Sequence, residues 1–312
     1  MQTNMGMAGE FRAVVKRADG STKIDTGYQK NLILNQGLDF FGGDNGPDMM
    51  AYCVIGSGSS QPVYTQNKLD TAIRGARGTA SSTKYDYNAA RDGNLYKTNK
   101  VNKYSFTELN NVNISELGLA STYSNATTYF LCTRALIKDS QGNPTTITVL
   151  NGEILEIYYK LWAVFDTTDK TGQINLLDGV GGSVAYNYVL SPMLVGSNYD
   201  GEVGRIPQAD SIKLLYAGDK ASLTGQPSNN LYSTTSKGSL TSYVTGSHKT
   251  VFTFTADISS ANGSIRTYGF SNMGWWQIRF GSVANDSPIT KTNTQTLSIP
   301  VEVSWGRYEG AL

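Results

Sequence analysis

The stretch Val149-Leu-Asn-Gly-Glu-Ile-Leu-Glu-Ile-Tyr-Tyr-Lys-Leu-Trp162, VLNGEILEIYYKLW, decides how this chain is read. Within the strand candidate Ile154 to Phe165, apolar side chains fall at Leu155, Ile157, Tyr159 and Leu161, with Glu156 and Lys160 between them. A period of two places one set of side chains on one face of a β-strand. Asn151-Gly152 ahead of it is a turn signal, and Gln141-Gly-Asn-Pro144 is another. Tyr104 with Phe106, Ile114-Ser-Glu-Leu117-Gly-Leu119, Tyr129 to Ile137 and Thr145 to Val149 read as further strands. Short strands separated by turns at this spacing predict antiparallel sheets in a sandwich or barrel.

The same block recurs. Pro144 to Pro288 and Leu155 to Ile299 are both 144 residues apart, and Ile299, Val301, Val303 and Trp305 repeat the alternation. Upstream, Phe106, Ile114 and Gly118 are matched by Phe254, Ile265 and Gly269. Gly56 to Leu69, with Gln61-Pro62, has an echo in Gly218 to Leu231, with Gln226-Pro227. Repetition of this kind predicts duplicated modules. The fold expected is therefore all-β, with two antiparallel β-sandwich modules in tandem. Residues 10–17 and Thr22 to Thr26 flank Asp19-Gly20 as an opening β-hairpin. Apolar positions 33, 34, 38 and 41, between an Asn31 cap and Gly42-Gly43, predict one short helix over 31–41. The division that follows is a hairpin and helix over 1–48, a first module over 49–168 with a polar excursion at 74–103, a linker at 169–184, and a second module over 185–312.

Composition agrees. Charged residues make up only 16% of the 312 residues, against about a quarter in ordinary soluble domains, while 33 glycines and 19 tyrosines suit strands and turns. The net charge of +1 comes from 26 basic and 25 acidic side chains without a strong block of either sign. Nothing there directs the chain to nucleic acid or to an anionic membrane. Cys53 and Cys132 each sit in an apolar strand-like run and read as buried free thiols. The N-terminus lacks the pattern of a secretory signal, so folding in a cytoplasm is expected.

Candidate chemistry is sparse. Val54-Ile-Gly-Ser-Gly-Ser-Ser-Gln-Pro62 looks like a phosphate-cradling loop, yet Gln61 stands where a third glycine belongs and Pro62 opposes a following helix. His248, the one histidine, reads as a loop residue, and no Gly-x-Ser-x-Gly elbow accompanies it. Ser81-x-x-Lys84 has a hydrolase-like spacing without its companion motifs. One histidine and two separated cysteines do not make a zinc set. Asp166-Thr-Thr-Asp169 and Asn198-Tyr-Asp-Gly-Glu202 offer oxygens outside the EF-hand register and read as solvated loops. Glu153 and Glu156, three apart in a strand, point to opposite faces. No catalytic residue, cofactor or metal is expected, and the chain reads as non-enzymatic.

The order NLILNQGLDFF, VIGSGSSQPVYTQNKLDTAI, ISELGLAS, TRALI and VLNGEILEIYYKLW, over residues 28–165, resembles the small β-rich structural proteins of tailed-bacteriophage tails, collars and fibre attachments. The resemblance implies that the Gly-Ser-Gly segment is a turn after a strand, and it carries no catalytic residues. It implies a virion component of the tail or neck region, assembled in the host cytoplasm. Its partners would be further copies in a ring or trimer, and other tail, neck or capsid-vertex proteins. Trp275, Trp276, Tyr268, Phe280, Trp305 and Tyr308 are the candidate interface residues, because adjacent tryptophans on a strand face opposite ways and one of them is expected outside. The alternative is a receptor-binding module that recognises a host surface glycan through these aromatics and the Asn/Asp loops.

Overall fold

A computed structural model describes residues 1–43, 48–80, 91–178, 180–193 and 206–312. The fold is all-β, in several antiparallel sheets, with one short helix among the described residues. The deciding stretch is the strand Ile154–Asp166. Leu155, Ile157, Tyr159, Leu161, Ala163 and Phe165 are buried on one side, while Tyr158, Lys160 and Trp162 are half-buried on the other. One edge pairs antiparallel with Leu95–Phe106 and the other with Gln2–Lys16.

The segment 74–103, expected as a polar excursion, contributes the strands Ala72–Arg77 and Leu95–Phe106. Its polarity misleads because the inward polar groups of the second strand find partners. Asn102 Nδ2 donates to Met50 O at 3.1 Å, Tyr104 OH donates to the same oxygen at 2.7 Å, and Lys100 pairs with Asp48. A buried polar group costs little once hydrogen-bonded. Residues 81–90 of that segment, and with them Ser81 and Lys84, lie outside the described residues.

The opening hairpin forms as expected, from Gln2–Lys16 and Thr22–Asp25, with Asp19 Oδ1 accepting from Ser21 N–H at 2.9 Å in the turn. It is not a peripheral element. Met5, Met7, Phe11, Ala13 and Val15 point into the core. Gly6–Lys16 runs antiparallel to Val164–Ile154, while Gln2–Met7 runs parallel to Glu302–Arg307 at the other end of the chain. The helix is shorter than expected: Asn35–Asp39, continued by a 3-10 turn over Phe40–Gly42. Asn31 does not cap it, because Gln29–Ile33 is a strand in which Asn31 pairs with Gly9 and its amide donates to Tyr159 OH. Ile33, Leu34, Leu38 and Phe41 are buried, as their spacing implies.

The repeat is present in the strand pairing. Phe106 lies opposite Leu155, and Phe254 opposite Ile299. Ile114 faces Ile147 as Ile265 faces Ile289, and Leu117 faces Ala135 as Tyr268 faces Ile278. Gly118 pairs with Val54 in the strand Tyr52–Gly56, as Gly269 pairs with Leu214 in Lys213–Tyr216. The segment 169–184, expected as a linker, contains the strand Lys170–Leu177, paired along its length with Ser183–Leu190. That hairpin forms one edge of a sheet that continues through Trp275–Ser282, Thr267–Ser271, Lys213–Tyr216 and Asn230–Thr234.

Cys53 and Cys132 are buried free thiols. Burial pushes the Cys132 thiol up to about 12 and raises Cys53 further, and it raises the phenols of Tyr104, Tyr159 and Tyr268. A value raised in the folded chain contributes stability that is complete below the ordinary values of 9.0 for a thiol and 10.0 for a phenol, and lost as pH rises above them. The melting temperature is therefore expected to be level between about pH 6 and pH 9 and to fall above it, with phenolate absorbance rising cooperatively on unfolding. Both thiols should stay unreactive to Ellman's reagent until the chain unfolds.

Candidate docking groove

The two units differ at one seam. Leu32 faces Arg134 in the first unit and Ser191 faces Gln277 in the second, so Gly9, opposite Asn31, corresponds to Lys170, opposite Leu190. The opening hairpin thus corresponds to the hairpin Lys170–Leu177 and Ser183–Pro192. In the first unit Val14, Val15 and Lys16 zip onto Glu156, Leu155 and Ile154. Among the described residues, Lys170–Leu177 pairs only with its hairpin partner and not with the closing strand Leu297–Arg307.

The closing strand supplies a reason. On the edge facing the opening strand, Glu302 N–H donates to Met1 O at 2.8 Å. Two residues earlier on that same edge stands Pro300, which has no N–H to donate. The seam stays open as a groove of about 550 Å³, whose apolar lining is Leu176, Leu177, Val184, Tyr186, Ile289 and Leu297. Gln295 Nε2 holds the hairpin over it, donating to Asp178 O at 3.0 Å. At the hairpin end Leu177 is 84% exposed and Val180 90%. These residues were not singled out from the sequence; the available signal was alternation in Ile174-Asn-Leu176 running into an Asp-Gly turn.

The glycine loop that resembles a phosphate cradle does hold an anion, and the anion is internal. Glu116 Oε1 accepts from Gly58 N–H and Thr71 N–H, both at 2.9 Å, and Oε2 accepts from Asp70 N–H at 3.2 Å and Arg134 Nε at 3.0 Å. Arg134 also donates to Ser60 Oγ at 3.1 Å and pairs with Asp70 at 2.8 Å. Glu116 and Arg134 are both fully buried. A Cβ at Gly56 would lie 2.7 Å from Glu116 Oε1, and one at Gly58 would overlap it. The glycines are there so that backbone can approach this carboxylate.

His248 lies in the loop just before the strand Lys249–Ala256, as expected. Its Nε2 is 3.8 Å from Asp39 Oδ1, an atom that accepts from Tyr243 OH at 2.6 Å and Gly246 N–H at 2.7 Å. Burial and the neighbouring Asp39 carboxylate push Tyr243 up to about 12. Tyr243 stacks on Trp305, whose Nε1 donates to Leu38 O at 2.8 Å. The cluster ties the helix to the 241–248 loop. Asp166 caps Thr168 N–H and Asp169 pairs with Lys220, whereas Asn198–Glu202 lies outside the described residues.

The expected interface residues are corrected by their burial. Trp275, Trp276, Tyr268, Phe280 and Trp305 are all buried within the chain, and only Tyr308 is half-exposed. Trp275 and Trp276 do point opposite ways, but both faces of their strand are covered. Phe165 packs edge-on against Trp276, and Tyr268 stacks between Phe254 and Phe270. Among the described residues the exposed aromatics are instead Tyr28 and Tyr64, while Tyr158 and Trp162 are half-buried on the outer face of their strand. Comparison with protein-family models, curated proteins and solved structures gives no match to this chain.

Removing one partner of a buried ion pair strands the other charge. Arg134→Met is expected to destabilise the fold by about 3–5 kcal/mol in urea titrations, and a loss below about 1 kcal/mol would mean that the pair is not buried as described.

Proposed function

We propose that this protein is a non-enzymatic structural component of a tailed-phage virion, placed in the tail, the neck or collar, or a fibre attachment, and acting by symmetric self-assembly and docking to other virion proteins. The observation that carries the docking part is the hairpin Lys170–Leu177 and Ser183–Pro192. It presents Leu177 and Val180 to solvent beside a strand edge unpaired among the described residues and an apolar groove. Apolar residues exposed at a free edge favour association. The order of elements over residues 28–165 supports the virion assignment, and the low charge supports permanent contacts.

A host-glycan reading has its own observation. Tyr158 and Trp162 share the outer face of one strand with Lys160, whose Nζ lies 4.1 Å from the Tyr28 ring centre, and Trp162 Nε1 donates to Glu10 at 3.0 Å. Aromatic faces beside fixed polar groups suit sugar rings. Glycan-array binding lost in Trp162→Ala would favour this reading.

Light scattering on the purified protein is expected to report a ring or trimer. Leu177→Asp with Val180→Asp should weaken association by about tenfold or more while leaving the melting temperature unchanged. A protein that stays monomeric and is missing from gradient-purified virions by mass spectrometry overturns the proposal.

A further inference from the structure

We infer that Lys291 and Asn262 join in an internal isopeptide bond, in which the lysine amine replaces the amide nitrogen of the asparagine and ties the start of the strand Gly263–Ile265 to the end of its partner Ile289–Lys291. The cross-link is a property of the chain itself and does not rest on the assembly reading.

The repeat shows that the fold does not need a lysine at this place. Ile265 faces Ile289 as Ile114 faces Ile147, so Lys291 corresponds to Val149, and both are buried. Where the first unit has an aliphatic side chain, the second puts an amine that is only 3% exposed. Its Nζ donates to two neutral oxygens, Asn262 Oδ1 at 2.9 Å and Thr292 O at 3.4 Å. No carboxylate among the described residues bonds it. A buried ammonium with neutral partners alone is costly, and conversion to an amide removes its charge altogether.

The contact also has the geometry of a reaction. An amine 2.9 Å from Oδ1 lies within about 4 Å of the carbon to which that oxygen is bonded, near the separation of groups poised to react. The carboxamide is fixed at its other end too, since Asn262 Nδ2 donates to Ile258 O at 3.2 Å. Burial lowers the Lys291 ammonium below its ordinary value, Asp257 opposes this and Lys237 adds to it, which favours the free amine that a nucleophilic lysine must be. In the step, Nζ as free amine adds to Asn262 Cγ, the Cγ–Nδ2 bond breaks, and the proton that Nζ gives up leaves with Nδ2 as ammonia. One amide and one amine become a new amide and ammonia, with no change of oxidation state and no co-reactant. Asn262 is exposed, which gives the ammonia a way out.

The other buried lysines among the described residues lack such a partner. Lys213 Nζ donates to the main-chain oxygens of Ala209 and Thr235, and Lys97 is held charged by Asp92.

The full-length protein, purified and denatured, is expected to weigh about 17 Da less than its sequence by intact mass spectrometry, the mass of one ammonia. Proteolysis should release a branched peptide that contains both Asn262 and Lys291 and resists hydroxylamine. Lys291→Arg, which keeps the cation without the reactive amine, Lys291→Val, which installs the first unit's residue, and Asn262→Ala should each restore the full mass. The sequence mass with linear peptides only, after prolonged incubation at mildly alkaline pH, overturns the inference. So does a loss of ammonia that hydroxylamine cleaves between Asn262 and Gly263, because that product is a succinimide closed by the Gly263 amide.

Discussion

The structure depends on one strand that serves two units. Gln2–Lys16 is hydrogen-bonded along one edge to the strand that closes the first unit, and its first residues lie parallel to the strand that closes the second. Five of its side chains, Met5, Met7, Phe11, Ala13 and Val15, belong to the main core. The two ends of the chain meet there, more than 290 positions apart in every pair, since Gln2 faces Glu302 and Met7 faces Arg307. Contacts this distant in sequence gain nothing until most of the chain is in place, because the loop entropy must be met first. The consequence is a continuous sheet in which neither unit has a complete set of strands without the N-terminal segment.

Around that strand the two units solve the same geometry with different chemistry. Glu116 and Arg134 in the first unit correspond to Thr267 and Gln277 in the second, and all four are buried. The ion pair organises the loop 56–71 through backbone donors. In the second unit Gln277 exchanges two hydrogen bonds with the Ala221 backbone, each of 3.0 Å, and Thr267 Oγ1 donates to Gly218 O at 2.9 Å. Either arrangement satisfies the buried polar groups, which is the condition for placing them inside at all. The neutral version avoids the desolvation of two charges, and the charged version gains a tighter hold on the glycine loop. The phosphate-like sequence at 54–62 is thus explained by an acid from the chain's own neighbouring strand.

The seam is where the repeat breaks, and Pro300 against Glu156 is the difference at its centre. A proline at that place removes a donor from a strand edge that its counterpart uses for pairing. Among the described residues the result is an unpaired edge, an apolar groove and a hairpin with two exposed aliphatic residues. Natural sheets usually cover or charge such edges, so leaving one bare is the feature most in need of a partner.

Local pattern alone determined the all-β class, the opening hairpin, the turns at 141–144 and 151–152, the buried thiols and the repeat, because each depends on side-chain period or on turn chemistry within a few residues. It placed Phe106 with Phe254 and Leu155 with Ile299, and the strand registers agree. Only the tertiary structure decided which polar strands are buried, as at Leu95–Phe106, where Met50 O and Asp48 meet the inward Asn102, Tyr104 and Lys100. It also decided that Trp275 and Trp276 are both inside, since alternation tells which way a side chain points but not whether a second layer covers that face. The groove was invisible for the same reason. An open seam is a strand that does not pair with another more than a hundred residues away, and no property of either segment by itself records that.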